Sequence, residues 1–285
     1  MLLSVAAAAC APHAARTDVE EPPVHLFVQR MSNRPPTLIV VNGGPGVSHD
    51  YLRPEWDRAA AFAGLVYYDQ RGCGKSERRP PYTWQTHVQD LDNVIRRMSG
   101  GRPVVLAGSS WGTWIVLLYT LEHPEHVRGI VLTGIPAWPD SMAYETRYRE
   151  LPARIRTHVD SLDAGFHVAD VLLDSSSIAG QGRGIDSEIL ARLGPPCPNA
   201  QWESSLSLRT APPVDRLRQI NVPVLFISGG RPRTSLYDRE DASNSLASII
   251  PHATVFTIAN GGHDSWHDAP DAFFSRVRAF VKALR

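Results

Sequence analysis

The stretch that decides the fold reads Val104-Val105-Leu106-Ala107-Gly108-Ser109-Ser110-Trp111-Gly112-Thr113-Trp114. An apolar run ends at the pattern Gly-x-Ser-x-Gly, and an apolar helical pattern follows directly. This order predicts a strand, a sharp turn and a helix, with Ser110 presented on the turn as a nucleophile. A side chain at position 108 or 112 would collide with the neighbouring strand or helix, which accounts for the two glycines. Because ordinary loops also contain glycine and serine, the rest of the chain has to decide between these two interpretations.

The composition is that of a globular protein with balanced charge. The chain has 285 residues, of which 43% are hydrophobic and 20% are charged. These values predict one large domain, or one domain with an insertion, around a substantial core. Lysine plus arginine and aspartate plus glutamate both number 29, so the formal net charge is zero. The balance argues against nucleic acid as a partner.

The three cysteines are Cys10, Cys73 and Cys197. An odd and sparse set does not make the disulfide framework of a small secreted domain. A bridge between Cys73 and Cys197 stays open as an alternative to two free thiols. No cysteine and histidine have the spacing of a zinc site, so we expect no metal, and nothing in the sequence calls for another cofactor.

The first 23 residues resemble the end of a bacterial lipoprotein signal peptide. An apolar run from Met1 to Ala9 leads into Ala7-Ala8-Ala9-Cys10, and a polar tether, Ala11–Pro23, follows. This pattern predicts a secreted protein or one of the bacterial cell envelope, tethered to the membrane through a lipidated Cys10. The apolar run is short and no basic residue precedes it, so the alternative is a frayed terminus on a cytoplasmic protein.

From residue 24 to residue 135, strand-like and helix-like segments alternate. Short apolar runs bounded by proline or glycine predict strands, and apolar residues three or four apart predict helices. The predicted strands are Val24–Met31, Thr37–Val41, Leu65–Tyr68, the run that begins at Val104, and Val127–Leu132; the predicted helices are Trp84–Met98 and Trp111 to about Glu122. Such alternation predicts an α/β fold with a mostly parallel central sheet and helices on both faces.

The alternation breaks between residues 136 and 220. We interpret this stretch as a short helical cap inserted into a core made of residues 24–135 and 221–285. Helix-like pieces, Met142–Val159 and Ile185–Leu193, precede a proline-rich break at residues 195–198. After the cap, strands are predicted at Val222–Ser228 and Ala253–Ala259, and helices at Leu236–Ile250 and Ala269–Leu284.

Three features of the core together predict a hydrolytic site. Ser110 lies at a strand-to-helix turn, the glycine-rich loop Asn42–Gly46 follows an earlier strand, and His263 lies in a loop after the last strand. This is the chain order of α/β-hydrolases, in which an acid comes between the serine and the histidine. Serine needs a base to take its proton, and imidazole titrates near neutral pH. The backbone amide of Trp111 and one from the glycine-rich loop, at Gly43 or Gly44, would bind the oxyanion.

The motifs around this site resemble those of the proline iminopeptidase family, which includes the tricorn-interacting aminopeptidases. The matching segments are Asn42–Gly46 with residues 48–52, Asp69-Gln70-Arg71-Gly72-Cys73-Gly74-Lys75-Ser76, and Gly108-Ser109-Ser110-Trp111-Gly112-Thr113. The resemblance is close from Pro36 to Val131, resumes over Val222–Ser228 and Gly261–Val281, and is loose in the cap. It implies an α/β-hydrolase fold and a peptidase that removes one N-terminal residue, often proline. It also implies that Glu203, in the pair Trp202-Glu203, binds the substrate's α-ammonium group.

The sequence departs from the family pattern at two points. Asn42 replaces the family's histidine before Gly-Gly-Pro-Gly, and we expect it to hold the loop by hydrogen bonds. The acid is missing from its usual place after the strand that ends near Ser228. We expect Asp238 to serve as the acid, and the alternatives are Glu240, Asp241, Asp140 or a Ser–His pair without an acid. Asp69 and Arg71 are expected to brace the turn beneath the site.

The predicted function is therefore a serine hydrolase that forms an acyl-enzyme on Ser110, with a short peptide or small molecule as substrate. An aminopeptidase of proline iminopeptidase type is the first reading. Because the cap is short, a carboxylesterase or lactonase is the nearest alternative. A protein of this fold that binds a ligand without catalysis is the alternative from another class, and the missing acid is its only support.

Overall fold

The computed structural model describes residues 23–135, 138–139, 187–193, 197–230 and 240–284. The predicted lipidation site Cys10, the predicted helix Met142–Val159, and the two candidate acids Asp140 and Asp238 lie outside these residues. Within them, one sheet of seven strands carries the fold. The seven strands are β1 (Val28–Arg30), β2 (Thr37–Val41), β3 (Gly64–Tyr68), β4 (Val104–Ser109), β5 (Val127–Thr133), β6 (Val224–Gly229) and β7 (Ala253–Ile258).

The sheet is parallel except at one edge. The strand order is β1-β3-β2-β4-β5-β6-β7, and only the pairing of β1 with β3 is antiparallel. Parallel strands need long crossover connections, and helices supply most of them. The described α-helices are α1 (Trp84–Met98), α2 (Trp111–Glu122), α3 (Ser187–Arg192), α4 (Pro198–Ser207), α5 (Glu240–Ile249), α6 (Ser265–Asp268) and α7 (Pro270–Ala283). The predicted α/β fold, with a mostly parallel sheet, is confirmed.

Alternate residues of the strands enter two separate cores, one on each face of the sheet. In β2, Ile39 packs with the core that contains α1 and α2, and Leu38 packs with the core that contains α7. This is the period of two that a strand imposes on its side chains. Since both faces are covered, β3 and β4 are buried along their whole length. The near-continuous apolar runs in the sequence reflect this two-sided burial.

Helix α4 was not predicted. It begins at Pro198, the last residue of the proline-rich break at residues 195–198. Pro198 stands at its first turn, where a missing N–H costs nothing because that N–H would have no partner within the helix. The helix packs on the amino-terminal end of α1, where the N–H of Trp84 donates to Ser207 Oγ at 2.7 Å. His87 Nε2 lies 2.8 Å from Ser204 Oγ. Burial and the nearby Arg71 charge lower the pKa of His87 to about 3, so this contact is made by a neutral ring.

The remaining predicted elements agree with the structure to within a few residues. Strand β1 is shorter than the predicted Val24–Met31, and α5 is described from Glu240, because the first four residues of the predicted helix Leu236–Ile250 lie outside the described residues. Among the residues that are described, no helix is long and apolar enough to cross a membrane.

Helix α2 lies very close to the sheet because two glycines remove the side chains between them. A Cβ added at Gly108 would lie 2.7 Å from the carbonyl oxygen of Gly112. One added at Gly112 would lie 2.8 Å from the carbonyl oxygen of Asn42, and nearer still to that of Val41. Real Cβ atoms do not approach backbone atoms so closely, so the steric reason inferred for both glycines is confirmed.

We expect Gly112→Ala to destabilise the protein by about 3 kcal/mol, because α2 must move away from β2 to admit one methyl group. Helix propensity alone would predict the opposite sign, a gain of up to ~1 kcal/mol. Chemical denaturation followed by circular dichroism measures the difference.

Gly100→Ala is the matched control. Gly100 has φ +61° and nothing within 4 Å of an added Cβ, so alanine there meets only the left-handed backbone penalty of about 1–2 kcal/mol. A Gly112→Ala protein as stable as the wild type would contradict the packing argument.

Candidate active site

Ser110 lies between the end of β4 and the start of α2 in a strained backbone conformation. Its φ of 51° and ψ of −121° make it the only non-glycine residue with positive φ in the described part of the chain. Such a conformation costs roughly 1–3 kcal/mol and persists only where the surroundings enforce it. The Ser110 N–H donates to the carbonyl oxygen of Thr133 at the end of β5, at 3.0 Å. The side chain is half-buried at the carboxyl edge of the sheet.

The glycine-rich loop that follows β2 lies against Ser110. A Cβ added at Gly43 would lie 2.9 Å from Ser110 Cβ, so glycine allows the loop its close approach. The N–H of Gly43 donates to Tyr51 Oη at 2.7 Å. Because that N–H already has a partner, Gly44, with φ +119°, is the better of the two candidates for an oxyanion donor.

Asn42 holds the start of this loop in the way expected of it. Its Nδ2 atom donates to the carbonyl oxygens of Gly43 and Val47, at 2.9 and 3.1 Å. The residue is fully buried. The buried asparagine therefore fixes the start of the loop by hydrogen bonds.

Gln70 joins the two elements that would carry the oxyanion donors. Its Nε2 atom donates to the carbonyl oxygen of Asn42 at 2.8 Å, and its Oε1 atom accepts from Trp111 Nε1 at 2.9 Å. Sequence reasoning missed both Gln70 and Tyr51. The signal for Gln70 was its place between the bracing residues Asp69 and Arg71, and the signal for Tyr51 was the segment of residues 48–52 that follows the glycine-rich loop.

Asp69 and Arg71 brace the turn beneath the site, as predicted. The Asp69 carboxylate accepts from the N–H and the Nδ1 of His49 and from the N–H of Lys75, at 2.7–3.0 Å. Burial raises the pKa of Asp69, but these hydrogen bonds outweigh burial and bring it below its ordinary value. Arg71 makes a buried two-point ion pair with Asp90, with N···O distances of 2.6 and 2.7 Å.

His263 lies in the loop after β7, on the same edge of the sheet as Ser110. An added Cβ at Gly134 would lie 3.0 Å from its Cε1 atom and 3.2 Å from its Nδ1 atom, so the ring rests on Gly134. Gly134 directly follows Thr133, which accepts the Ser110 N–H. The structure therefore brings Ser110 and His263 to the same two-residue segment at the end of β5.

The loop that carries His263 is held from both ends. The N–H of Gly262 donates to the Asp268 carboxylate at 2.7 Å, and Ser265 Oγ donates to the carbonyl oxygen of Gly262 at 2.7 Å. Farther along α6, His267 Nδ1 lies 2.7 Å from a carboxylate oxygen of Glu55. Arg192 of α3 makes an ion pair with the same carboxylate at 2.8 Å. Glu55 therefore links α6 to α3, which lies between β5 and β6 in the chain.

The acid of the site stays a prediction. Asp238, the expected acid, and Asp140 lie outside the described residues, and Glu240 and Asp241 stand at the start of α5, where only the backbone is described.

Glu203 lies on α4 and is exposed, which differs from the buried carboxylate that would suit an ammonium group best. Its Oε2 atom accepts from the N–H of Tyr82 at 3.3 Å. Helix α4 itself reaches the site, because an added Cβ at Gly46 would lie 2.9 Å from Gln201 Cβ. Glu203 is therefore on a helix that packs against the glycine-rich loop.

One cluster of metal-ligand type occurs among the described residues, and it lies away from this site. Ligand atoms of Asp92, His123 and His126 fall within 4.8 Å of one another beside the carboxyl-terminal end of α2. Asp92 already pairs with Arg96 at 2.5 Å and accepts from Tyr119 Oη at 3.0 Å. The cluster is therefore satisfied as a hydrogen-bond and ion-pair network.

Comparisons with known proteins agree with this architecture. The profile described as "Alpha/beta hydrolase family" matches residues 38–276. The proline iminopeptidase of Thermoplasma volcanium is 33% identical over 39% of this chain and 38% of its own length. That of Lactobacillus helveticus is 26% identical over 90% of this chain and 93% of its own length.

Among solved structures, a thermophilic esterase from Thermogutta terrifontis superimposes with a TM-score of 0.73. It is 19% identical, and the match covers 92% of this chain and 94% of the esterase. At this identity the likeness concerns the fold. Together with the profile match over most of the chain, it shows that the protein belongs to the α/β-hydrolase family and is a hydrolase.

Proposed function

We propose that the protein is a serine hydrolase in which Ser110 is the nucleophile and His263 is the general base. The observation that carries this proposal is the strained backbone of Ser110, which packs against the glycine-rich loop and is hydrogen-bonded to Thr133, next to the Gly134 on which the His263 ring rests. Strain of this kind has a use at a nucleophile, because it lifts the hydroxyl out of the sheet toward a substrate. Gly108 and Gly112 support this conformation of Ser110, because they let α2 lie close to the sheet.

The reaction follows from this arrangement. His263 takes the proton of Ser110 Oγ as that oxygen attacks the substrate's carbonyl carbon. The N–H groups of Trp111 and Gly44 stabilise the negative oxygen of the tetrahedral intermediate. His263 then returns the proton to the leaving amine or alcohol, and an acyl-enzyme remains on Ser110. Water, deprotonated by His263, hydrolyses the acyl-enzyme in a second round.

The proposed substrate is a short peptide or amide with a free N-terminus, from which one residue, often proline, is released. The named relatives support this class, and so does the carboxylate of Glu203 on the helix over the glycine-rich loop. A positive ammonium group would be attracted to that carboxylate, whereas a neutral ester would not. The exposure of Glu203 and its contact with Tyr82 favour a second candidate, a carboxylesterase or lactonase.

A fluorophosphonate probe should label Ser110 in the folded wild-type protein, because the activated Oγ displaces fluoride from phosphorus. Ser110→Ala should abolish labelling. Ser109→Ala, a change at the buried neighbouring serine, should keep it. Mass spectrometry of the labelled peptide identifies the site. If the folded wild-type protein stays unlabelled, the proposed serine mechanism is wrong.

The rate at which the fluorophosphonate probe labels Ser110 identifies the acid. Asp238→Asn should slow labelling and turnover by a factor of ~10⁴, because the imidazole loses the group that orients it. Glu240→Gln, Asp241→Asn and Asp140→Asn should each stay close to the wild type. A large loss in one of these three instead would reassign the acid, and no large loss in any of the four would indicate a Ser–His pair.

Gln70→Met should lower kcat by about 10–100-fold and leave KM nearly unchanged, because Gln70 aligns the oxyanion donors without touching the substrate. Methionine has a similar length but makes neither hydrogen bond, so Asn42 and Trp111 lose their common partner. Steady-state kinetics on one chromogenic substrate measures both constants. Gln219→Met, at an exposed position, is the control, and a rise in KM alone would contradict this role.

Recognition of a free amine can be tested with three substrates. We expect turnover of a prolyl p-nitroanilide, little turnover of its N-acetyl form, and a drop of about 10–100-fold in kcat/KM for the free amine in Glu203→Gln, the range expected for losing one charged hydrogen bond. Hydrolysis of a p-nitrophenyl ester should not change in that variant. Glu188→Gln, an exposed glutamate on α3, is the matched control. Equal turnover of the free and acetylated amides would exclude amine recognition, and turnover of the ester alone would favour the esterase.

A further inference from the structure

Two cysteines from distant parts of the chain meet beside the glycine-rich loop. Cys73 lies in the turn after β3, and Cys197 is the N-cap residue of α4. Both are buried free thiols, and they form a small cluster with Tyr82 and Ala200. The cluster lies at the junction between the core and the inserted segment.

Cys73 and Cys197 pack together in this four-residue cluster, and the Cys73 thiol donates to the carbonyl oxygen of Arg71 at 3.5 Å. The N–H of Cys197 donates in turn to the carbonyl oxygen of Gly46 at 2.8 Å. The glycine-rich loop, the turn after β3 and α4 are thus joined at one point.

The backbone packing around the pair leaves little room to separate the two residues. An added Cβ at Gly72 would lie 2.7 Å from Ala200 Cβ, and one at Gly46 would lie 3.0 Å from the carbonyl oxygen of Cys197. Helix α4 is therefore packed against both loops, which holds the two cysteines in one cluster.

We propose that Cys73 and Cys197 are an oxidation site, which a low-molecular-weight or protein disulfide converts into a disulfide that joins α4 to the core. The proposed mechanism uses neither thiol, and the hydrogen bond of the Cys73 thiol among the described residues is to the carbonyl oxygen of Arg71. A buried pair of small hydrophobic residues could have filled the same volume without sulfur.

The chemistry proceeds in two exchange steps. The Cys197 thiolate attacks one sulfur of the oxidant's disulfide, and a mixed disulfide forms as one thiolate leaves. Cys73 then loses its proton and attacks the Cys197 sulfur, which releases the second thiol of the oxidant. Two protein S–H groups are oxidised, one oxidant disulfide is reduced, and both hydrogens end on the released thiols.

Cys197 is the better placed of the two to begin. It is 8% exposed, whereas Cys73 is 0% exposed. The interaction between the two side chains also lowers the pKa of the Cys197 thiol, and the same interaction, together with burial, raises the pKa of the Cys73 thiol. An oxidant therefore meets Cys197 first, and Cys73 resolves the mixed disulfide from inside.

The test treats the reduced, folded full-length protein with oxidised glutathione and maps the peptides by mass spectrometry. We expect a crosslinked peptide pair containing Cys73 and Cys197, a loss of two titratable thiols in denaturant, and reversal by a dithiol reductant. Because the link closes a long loop, thermal unfolding should shift upward by about 5–10 °C. None of these readouts depends on catalysis, so they stay valid if the proposed hydrolase activity fails.

Two variants separate the roles of the thiols. In Cys73→Ala the remaining Cys197 should accumulate the glutathione adduct, and in Cys197→Ala the buried Cys73 should stay largely unmodified. Wild-type protein that keeps both thiols free under oxidised glutathione, or that carries only a glutathione adduct at Cys197, would overturn the proposal. In that case the pair would act only as packing.

Discussion

The close backbone packing of α2 against β2 is the constraint on which the rest of this structure depends. Gly108 and Gly112 remove the two side chains that would hold helix and strand apart. With the helix so close, the chain can turn from β4 into α2 only through a residue at positive φ, and that residue is Ser110. The strain at this position is balanced by burial around α2, where ten consecutive residues, 111–120, are buried. The strained geometry of Ser110, the proposed nucleophile, thus follows from the short distance between helix and sheet.

A second layer of buried hydrogen bonds fixes what the packing leaves free. A glycine-rich loop has many accessible backbone conformations, and an oxyanion site needs one of them before the substrate arrives. Tyr51, Asn42 and Gln70 each take up a backbone group of this loop, at 2.7–3.1 Å. All three are buried, where an unmade hydrogen bond would cost ~1–3 kcal/mol. The loop is therefore held in one conformation, because any other conformation would leave these buried groups without hydrogen bonds.

The sequence predicted the sheet, the main helices and the strand-to-helix turn at Ser110, because each is encoded locally. Apolar period, flanking glycines and the spacing around Ser110 are properties of short windows. Tyr51 and Gln70 could not be assigned this way, because their partners are backbone atoms brought close only by the fold. Helix α4 was missed for the opposite reason. Its first residue is Pro198. The sequence pattern places this proline in the break at residues 195–198, whereas it begins the helix.

Helix α3 packs Ile189 into the core, and it also contacts the loop of His263 through charged groups. Core elements meet through apolar surface, whereas α3 reaches the loop of His263 through Arg192, Glu55 and His267. Burial raises the pKa of Glu55, but hydrogen bonds from Arg192 and His267 outweigh it and lower the pKa below its ordinary value. The charged carboxylate therefore favours the folded state above its unfolded-state pKa, and this contribution is lost as the pH falls through the folded-state pKa. Acid should therefore weaken the contact of α3 with α6, and it should weaken the contacts of Asp69 beneath the site for the same reason, because hydrogen bonds lower the pKa of both carboxyl groups.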